Sequence, residues 1–537
     1  MPITPRRLAP LAPVALAALL LATVAPLSAR AATDFPAGDE GYHTYAEVGA
    51  ETAAVAAANP DIVQRFSIGQ SHEGRDLWAM KISDNVATDE VEPEVMFDGG
   101  HHADEHMGVE MALEIMHWLV DGYGNNDRIT RIVDNREVWI VFLVNPDGAE
   151  YDIRTGTYRY WRKNRQPTPG SSYVGTDLNR NYGYRWGGGG RTSTNPQAIT
   201  YRGPAAFSAP ETRAVRDFMR SRVIGGRQQI RTYVTFHETG RLVMWPYGYT
   251  YSDVPADMTR ADHDALATIG RRMGALNGYR PQQASDLYIT SGTARDFAYG
   301  KYRIYAYTFE LSNGDYMDDS KIASETGRNR SAMLYLMERA WCPLGVLGAT
   351  VAAARCGAFD DDLEVWAGWT TNPDGTDTAS ATGGRFSRSN PASTSADGPK
   401  QLGTVPSGAR AFVTGAAAGT GAGANDLDGR TTIRSRAIAV PNATGQRLFF
   451  RYVFAHNAGS SAADTLTAFV EETDGDLVPV VSVTGAAADR DGAWTPAYAN
   501  LDAWAGQTIR LRFVAVDGGP DNLLEIELDD IRITRPS

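Results

Sequence analysis

Cysteine is almost absent from this chain: Cys342 and Cys356 are the only two in 537 residues. With no third or fourth soft ligand, a thiolate metal site is excluded. The pair is expected to close a short disulfide loop in an oxidising compartment, contributing on the order of 3 kcal/mol. Excess positive charge is also lacking: the formal net charge is -13, which argues against a nucleic-acid partner. Long apolar runs are missing beyond the N-terminus. There, Arg6 and Arg7 precede the run LAPLAPVALAALLLATVAPL, which three prolines interrupt and the small-residue site Ala29-Arg30-Ala31 follows. This pattern reads as a cleaved signal peptide over residues 1–31 rather than a membrane-spanning helix. The mature protein is therefore expected to be secreted, extracellular and free of the membrane, with Sec and twin-arginine export both open.

What is present divides the chain in two. From about Tyr42 to Trp341, helical periods alternate with short apolar runs, among them EVMFDG, VWIVFLVN, TYVTFH and IYAYTFEL. That is the pattern of an α/β domain around a largely buried sheet. In MALEIMHWLVDG, Met111, Ile115, Trp118 and Leu119 share one helical face before Gly122. The helix in APETRAVRDFMRSR is expected to open on Pro210. After Cys356 the composition shifts to Gly, Ala, Thr and Asp, and strict alternation replaces helical periods, as in RLFFRYVFAH and TIRLRFVAV. The expected organisation is an α/β domain over residues 32–358 and an antiparallel β-sandwich over 359–537.

The chemistry concentrates in GGHHADEHMGVE, Gly99 to Glu110, which holds three histidines and three carboxylates where a buried strand gives way to a helix. The carboxyl ends of strands are where open α/β sheets place ligands. His102 with Glu105 and His101 with Asp104 share the same H-x-x-E/D spacing, and His102 with His106 has the i,i+4 spacing of a helical pair. Two further apolar runs end in His237 and Glu310. His237 would complete a set of two histidines and one carboxylate, leaving a fourth tetrahedral position for water.

The motifs H-x-x-E in HHADEH, NPDG, WRKNR, DLNRN, FHETGRLVMWPYGY, LYITSG and TFEL stand in unbroken order between Tyr42 and Trp341. In these the chain resembles the zinc metallocarboxypeptidases of the pancreatic carboxypeptidase A type. The resemblance implies a mixed central sheet with helices on both faces, one catalytic Zn2+, and hydrolysis of the C-terminal bond of peptides and proteins. It implies His102, Glu105 and His237 as zinc ligands, with His101 and His106 as bystanders, and Asp177 as the carboxylate that orients a zinc histidine. Arg162 takes the place of the oxyanion-stabilising cation, Asn179 and Arg180 that of the clamp for the substrate's carboxylate, Tyr288 that of the closing phenol, and Glu310 that of the general base. Arg295 falls at the family's specificity position: a cation there favours a C-terminal Glu or Asp, whereas pairing with Asp296 would leave an apolar pocket lined by Ile289 and Met244. Asp104 stands where many members carry an arginine, which leaves the subsites beyond the scissile bond open. No separate inhibitory pro-domain is expected between Ala31 and the first catalytic segment.

The C-terminal stretches DLEVWAGWTTNPDGTDTASATGGRF, GANDLDGRTTIRSRAIAVP and LLEIELDDIRI resemble jelly-roll modules appended to secreted bacterial proteases. Asp426, Asp428, Asp529 and Asp530 offer hard oxygen donors for a structural Ca2+, with ordinary turn aspartates as the alternative. Contact with cell wall, glycan or substrate, or simple stabilisation, all fit such a module. Two other functions remain beside a peptidase acting on ordinary peptides: a muropeptide peptidase on the same scaffold, and a catalytically silent binding protein.

Overall fold

The structure, a computed structural model, describes residues 34–89, 92–224, 227–348, 351, 356–361, 363, 366–380, 383–406, 408–416, 426–519 and 522–534. The expected signal peptide lies outside the described residues. Among the described residues no helix is long and apolar enough to cross a membrane.

The first unit is built on eight strands: β1 (Val63–Gln70), β2 (Asp76–Ile82), β3 (Glu94–Asp98), β4 (Glu137–Val141), β5 (Ile230–Glu238), β6 (Leu242–Trp245), β7 (Arg280–Gln283) and β8 (Tyr305–Leu311). They hydrogen-bond in the order β1-β2-β4-β3-β5-β8-β6-β7. The centre of the sheet, β4-β3-β5-β8, is parallel, and β1, β2 and β6 join it antiparallel. Buried strands with period-2 alternation must feed both faces. Val95 and Phe97 accordingly pack into one core with Ile115 and Leu119 of the helix Met107–Gly122. Met96 points the other way, into a core shared with Val215 and Met219 of the helix Pro210–Ser221 and Phe297 of the helix Ala294–Tyr302. This is the expected mixed sheet covered on both faces.

The second unit is a sandwich of two six-stranded sheets, antiparallel throughout. Leu448, Phe450, Tyr452 and Phe454 alternate inward from the strand Arg447–His456 against Leu511 and Phe513 of the facing sheet. The strand Gly357–Asp361 pairs with Leu524–Thr534 and so belongs to this unit, although it straddles the boundary expected at 358/359. Cys342 and Cys356 are bridged just before it, with Cα atoms 5.6 Å apart. Arg532 ties the two units together, donating to Asn135 at 3.0 Å and to Asp530 at 2.8 Å.

The aspartates expected to bind calcium are arranged otherwise. Asp530 faces the guanidinium groups of Arg532 at 2.8 Å and Arg451 at 3.4 Å, so the positive charge beside it is already supplied. Among the described residues, Asp426, Asp428, Asp529 and Asp530 do not converge as a metal-binding group.

Glu525 and Glu527 are fully buried in the sandwich beneath the loop that carries Leu402, whose N–H donates to Glu527 at 2.6 Å. Burial, then the charges of Asp426 and Glu527, pushes the Glu525 carboxyl up to about 9, and burial pushes Glu527 up to about 8. Folded values above the unfolded ones mean a stability contribution that is complete below the ordinary value of 4.5 and is lost as pH rises through 8 to 9. The slope is at most ~1.4 kcal/mol per pH unit for each group. The sandwich is therefore expected to unfold at lower denaturant as pH is raised from about 5 to about 9, and Glu525→Gln with Glu527→Gln to flatten that dependence. Parallel curves for wild type and variant would show that these two carboxyls do not set it.

Candidate active site

At the carboxyl end of β3 the chain must turn within two residues to start a helix, and only glycine fits. A Cβ on Gly99 would meet the Gly108 carbonyl oxygen at 2.2 Å, and Gly100 has φ +68°. The turn swings His101 to His106 over the N-terminus of the helix Met107–Gly122. Next to β3 in the sheet, β5 delivers His237, and β8 sets Glu310 in register beside it.

Three side chains meet there. His102 Nδ1 lies 2.6 Å from Glu105 Oε1, while His237 Nδ1 lies 2.8 Å from Glu105 Oε2 and 3.0 Å from His102 Nδ1. All three residues are buried. Burial holds the His237 ring down at about 4, which keeps it neutral with a lone pair to offer. Burial works against ionisation of Glu105, but His102 and His237 hold its carboxyl well below the usual range. A tetrahedral zinc site with Zn–N near 2.05 Å has donor-to-donor edges of roughly 3.3 Å. A few tenths of an ångström of outward relaxation brings this trio to that geometry, so the donor set fits Zn2+. Among the described residues one other carboxylate cluster converges similarly, Asp89, Glu94 and Glu137. Its centre is occupied by the Arg222 guanidinium, 2.7, 2.5 and 3.6 Å from the three.

The surrounding groups orient the trio. Asp177 accepts from His102 Nε2 at 3.1 Å and from Arg162 Nε at 3.1 Å, and Arg162 also reaches Glu105 Oε1 at 3.2 Å. Thr235, two residues before His237 on the same strand face, sets Oγ1 3.3 Å from His237 Nε2. The remaining histidines are engaged elsewhere. His101 lies against Tyr182 Oη at 2.7 Å and Asp98 at 3.4 Å, and His106 against Asp152 at 3.1 Å. Of the pairings open in the sequence, the fold realises His102 with Glu105.

A small pocket of about 20 Å³ beside the trio is lined by Asn179, Arg180, Met244, Tyr288, Arg295 and Glu310, among others. Arg180 is anchored by the carbonyls of Arg191 and Asn179, at 2.7 and 2.8 Å. Asn179 accepts from the Ala294 N–H at 3.0 Å and sets its amide nitrogen 3.2 Å from His237 Nε2. The Tyr288 ring lies under the Arg191 guanidinium, 4.8 Å away. Arg295 pairs with Asp296 through Nε at 3.0 Å and Nη2 at 2.9 Å, and donates to Thr308 at 3.1 Å. Met244 lines the pocket as expected. Ile289 is not among its lining residues and instead bonds Arg191 N–H through its carbonyl, at 2.8 Å.

Three neighbours escaped the sequence reading: Thr235, Thr308 and Glu238. Thr235 and Thr308 precede His237 and Glu310 by two on their strands, and that spacing places them on the same faces. Glu238 simply follows His237. Burial, then the charge of Glu105, pushes its carboxyl well above the usual range, and burial pushes Asp104 up to about 6.

The zinc carboxypeptidase family model matches residues 49–332. A zinc carboxypeptidase from Saccharothrix mutabilis subsp. capreolus is 46% identical over 322 residues, which cover 59% of this chain and 74% of that one. The chain belongs to the zinc carboxypeptidase family. Bovine carboxypeptidase B is 33% identical over 276 residues, 51% of this chain and 63% of that protein. The solved structure of thrombin-activatable fibrinolysis inhibitor superposes with a TM-score of 0.51 at 26% identity, covering 56% of this chain and 74% of that one. As a family member the chain is a zinc-dependent metallocarboxypeptidase that acts on peptides or proteins.

Asp177 is expected to matter for metal retention, because it fixes the His102 ring and its tautomer. Asp177→Asn should weaken zinc binding about 10–100-fold in competition with a chromophoric chelator. An unchanged affinity would remove Asp177 from the metal site.

Proposed function

We propose that this chain is a secreted exopeptidase that removes one C-terminal amino acid at a time, with His102, Glu105 and His237 holding the zinc. The observation that carries this reading is the meeting of the three donors with Glu310 on the adjacent strand, beside a pocket that contains an anchored arginine. Held by His102, Glu105 and His237, zinc would supply a Lewis acid for the scissile carbonyl and a bound water with its pKa lowered towards ~7. Burial, then Glu105, pushes the Glu310 carboxyl up, and the positive charge of a zinc held by the trio would bring it back down to a base that takes the proton of the attacking water and returns it to the leaving amine. Arg162, held by Asp177, turns its remaining N–H groups to the oxygen that gains charge. Arg180 grips the substrate's terminal carboxylate with a planar fork of donors, supported by the backbone of Asn179. Tyr288 closes over that carboxylate. Export is supported by the N-terminal pattern and by the Cys342–Cys356 bridge, which belongs to an oxidising compartment.

Within this reading Arg295 gives a modest preference for C-terminal Glu. Three of its five N–H donors serve Asp296 and Thr308, and the remaining two can receive a carboxylate. Asp296 offsets the charge, so the preference is weaker than an unpaired arginine would give.

Blocked dipeptides ending in Glu, Asp, Phe, Leu, Lys and Arg, run beside muropeptides on wild type, Glu310→Gln and Arg295→Ala, test the reading. Glu310→Gln is expected to lose at least about 100-fold in kcat on dipeptides. Arg295→Ala is expected to lower the Glu to Phe ratio of kcat/KM several-fold. Equal rates for Glu310→Gln and wild type would mean a silent binding protein, and turnover confined to muropeptides would mean a wall peptidase. Preference of the wild type for Phe or Leu, unchanged by Arg295→Ala, would remove Arg295 from specificity.

A further inference from the structure

The outer face of one sandwich sheet carries side chains that its core does not need. In the strand Arg447–His456, Leu448, Phe450 and Tyr452 point inward, which sends Phe449 and Arg451 outward. The edge strand Thr495–Asn500 turns Ala497 into the core and presents Pro496 and Tyr498 on the same outer face, paired in register with Arg451 and Phe449. The Phe449 and Tyr498 rings sit 5.2 Å apart, and Tyr498 remains 49% exposed. Trp494, just before this strand, extends the row and is held by its ring N–H, which donates to the Thr404 carbonyl at 2.9 Å. A solvent-facing sheet surface is ordinarily polar. Phe449 is itself buried against Tyr498, at 3% exposure, and Trp494 is half-buried, so Tyr498 is the ring most open to solvent, and an exposed ring on that face requires a reason.

The row forms one wall of a cleft of about 710 Å³ at the junction of the two units, within the roughly 300–1,000 Å³ of small-molecule sites. The opposite wall is chemically different. It consists of Asp84, Asn85 and Thr88, from the loop between β2 and β3, with Tyr123 after the helix Met107–Gly122. This loop lies at the amino end of β3, the opposite end from His102, so the cleft is separate from the zinc site.

We propose that this cleft binds a neutral oligosaccharide of about two or three pyranose rings. A pyranose has an apolar C–H face, which packs on aromatic rings, and a rim of hydroxyls, each both donor and acceptor. The aromatic wall suits the first and the short Asp, Asn and Thr side chains suit the second, since a carboxylate or amide already engaged in one hydrogen bond keeps further lone pairs for hydroxyl donors. Asp84 on one wall and Arg451 on the other, with Asp89 offset by Arg222 at 2.7 Å and Arg451 by Asp530 at 3.4 Å, leave the cleft without a strong excess of either charge, which suits a neutral ligand. An extended peptide is disfavoured as occupant: it would pair with the edge strand, and Pro496 at its exposed margin has no N–H to donate. The proposal stands apart from the peptidase reading, and either can fail alone.

Isothermal titration of the full zinc-loaded chain with cellotriose, maltotriose and triacetylchitotriose tests it. At least one is expected to bind with Kd at or below about 1 mM. Tyr498→Ala should weaken that binding at least about tenfold by removing a stacked ring, and Thr88→Arg, which fills the cleft from the opposite wall, should abolish it. Both positions are exposed, and both variants should keep kcat/KM on a blocked dipeptide within about twofold of wild type. Absence of binding by all three saccharides at about 10 mM would overturn the proposal. So would binding left undiminished by either variant.

Discussion

Two imidazole nitrogens 3.0 Å apart, each also within 2.8 Å of the same carboxylate, form an arrangement that only a shared cation or proton makes favourable. Much of the first unit serves to impose it. The parallel pairing of β3 with β5 and of β5 with β8 brings the three strand ends to one edge. The two glycines after β3 let the helix Met107–Gly122 pack close enough for His102 and Glu105 to face inward together. Asp177 and Thr235 then fix the rings from behind.

Around that point the electrostatics are divided. Arg162 and Arg180, with Arg295 deeper in the pocket, lie on the side expected to receive a substrate carboxylate. Burial, then the charge of Glu105, pushes the carboxyls of Asp104, Glu238 and Glu310 towards protonation, while Glu105 itself is held ionised by His102 and His237. A dication shared by the trio would offset much of that repulsion, so the same charges that destabilise the bare site favour its loading. The pairing of Arg295 with Asp296 has a similar logic: a guanidinium buried at 3% exposure is sustainable because its neighbour compensates it.

The sandwich solves a different problem. Its inward face is a continuous apolar core, and its outward face is divided between acids buried under the Leu402 loop and an aromatic wall at the junction, of which Tyr498 is the exposed ring. Arg532, buried among Asp530, Asn135 and the Trp341 ring, closes that junction with polar contacts rather than an apolar seam. Such an interface leaves the cleft beside it accessible.

The α/β-then-β order, the alternation that buries each strand and the strand ends bearing His102, His237 and Glu310 were all legible in the linear sequence, because hydrophobic period and motif spacing are local properties. So was the disulfide, since only one pairing existed. Which histidine of HHADEH faces the metal point was not legible from spacing, because His101–Asp104 and His102–Glu105 are equally separated, and only the turn at Gly99 and Gly100 decides between them. The donation of Arg295 to Thr308 beside its pairing with Asp296, and the failure of Asp426, Asp428, Asp529 and Asp530 to converge, also belong to tertiary structure. A side chain's partner depends on which distant segment folds against it: Thr308 of β8 for Arg295, Asn135 across the junction for Arg532. The sequence determined which residues stand at strand ends and which face of each strand is apolar. The packing of distant segments decided which charges meet, because Coulomb and hydrogen-bond energies depend on separations through space and not along the chain.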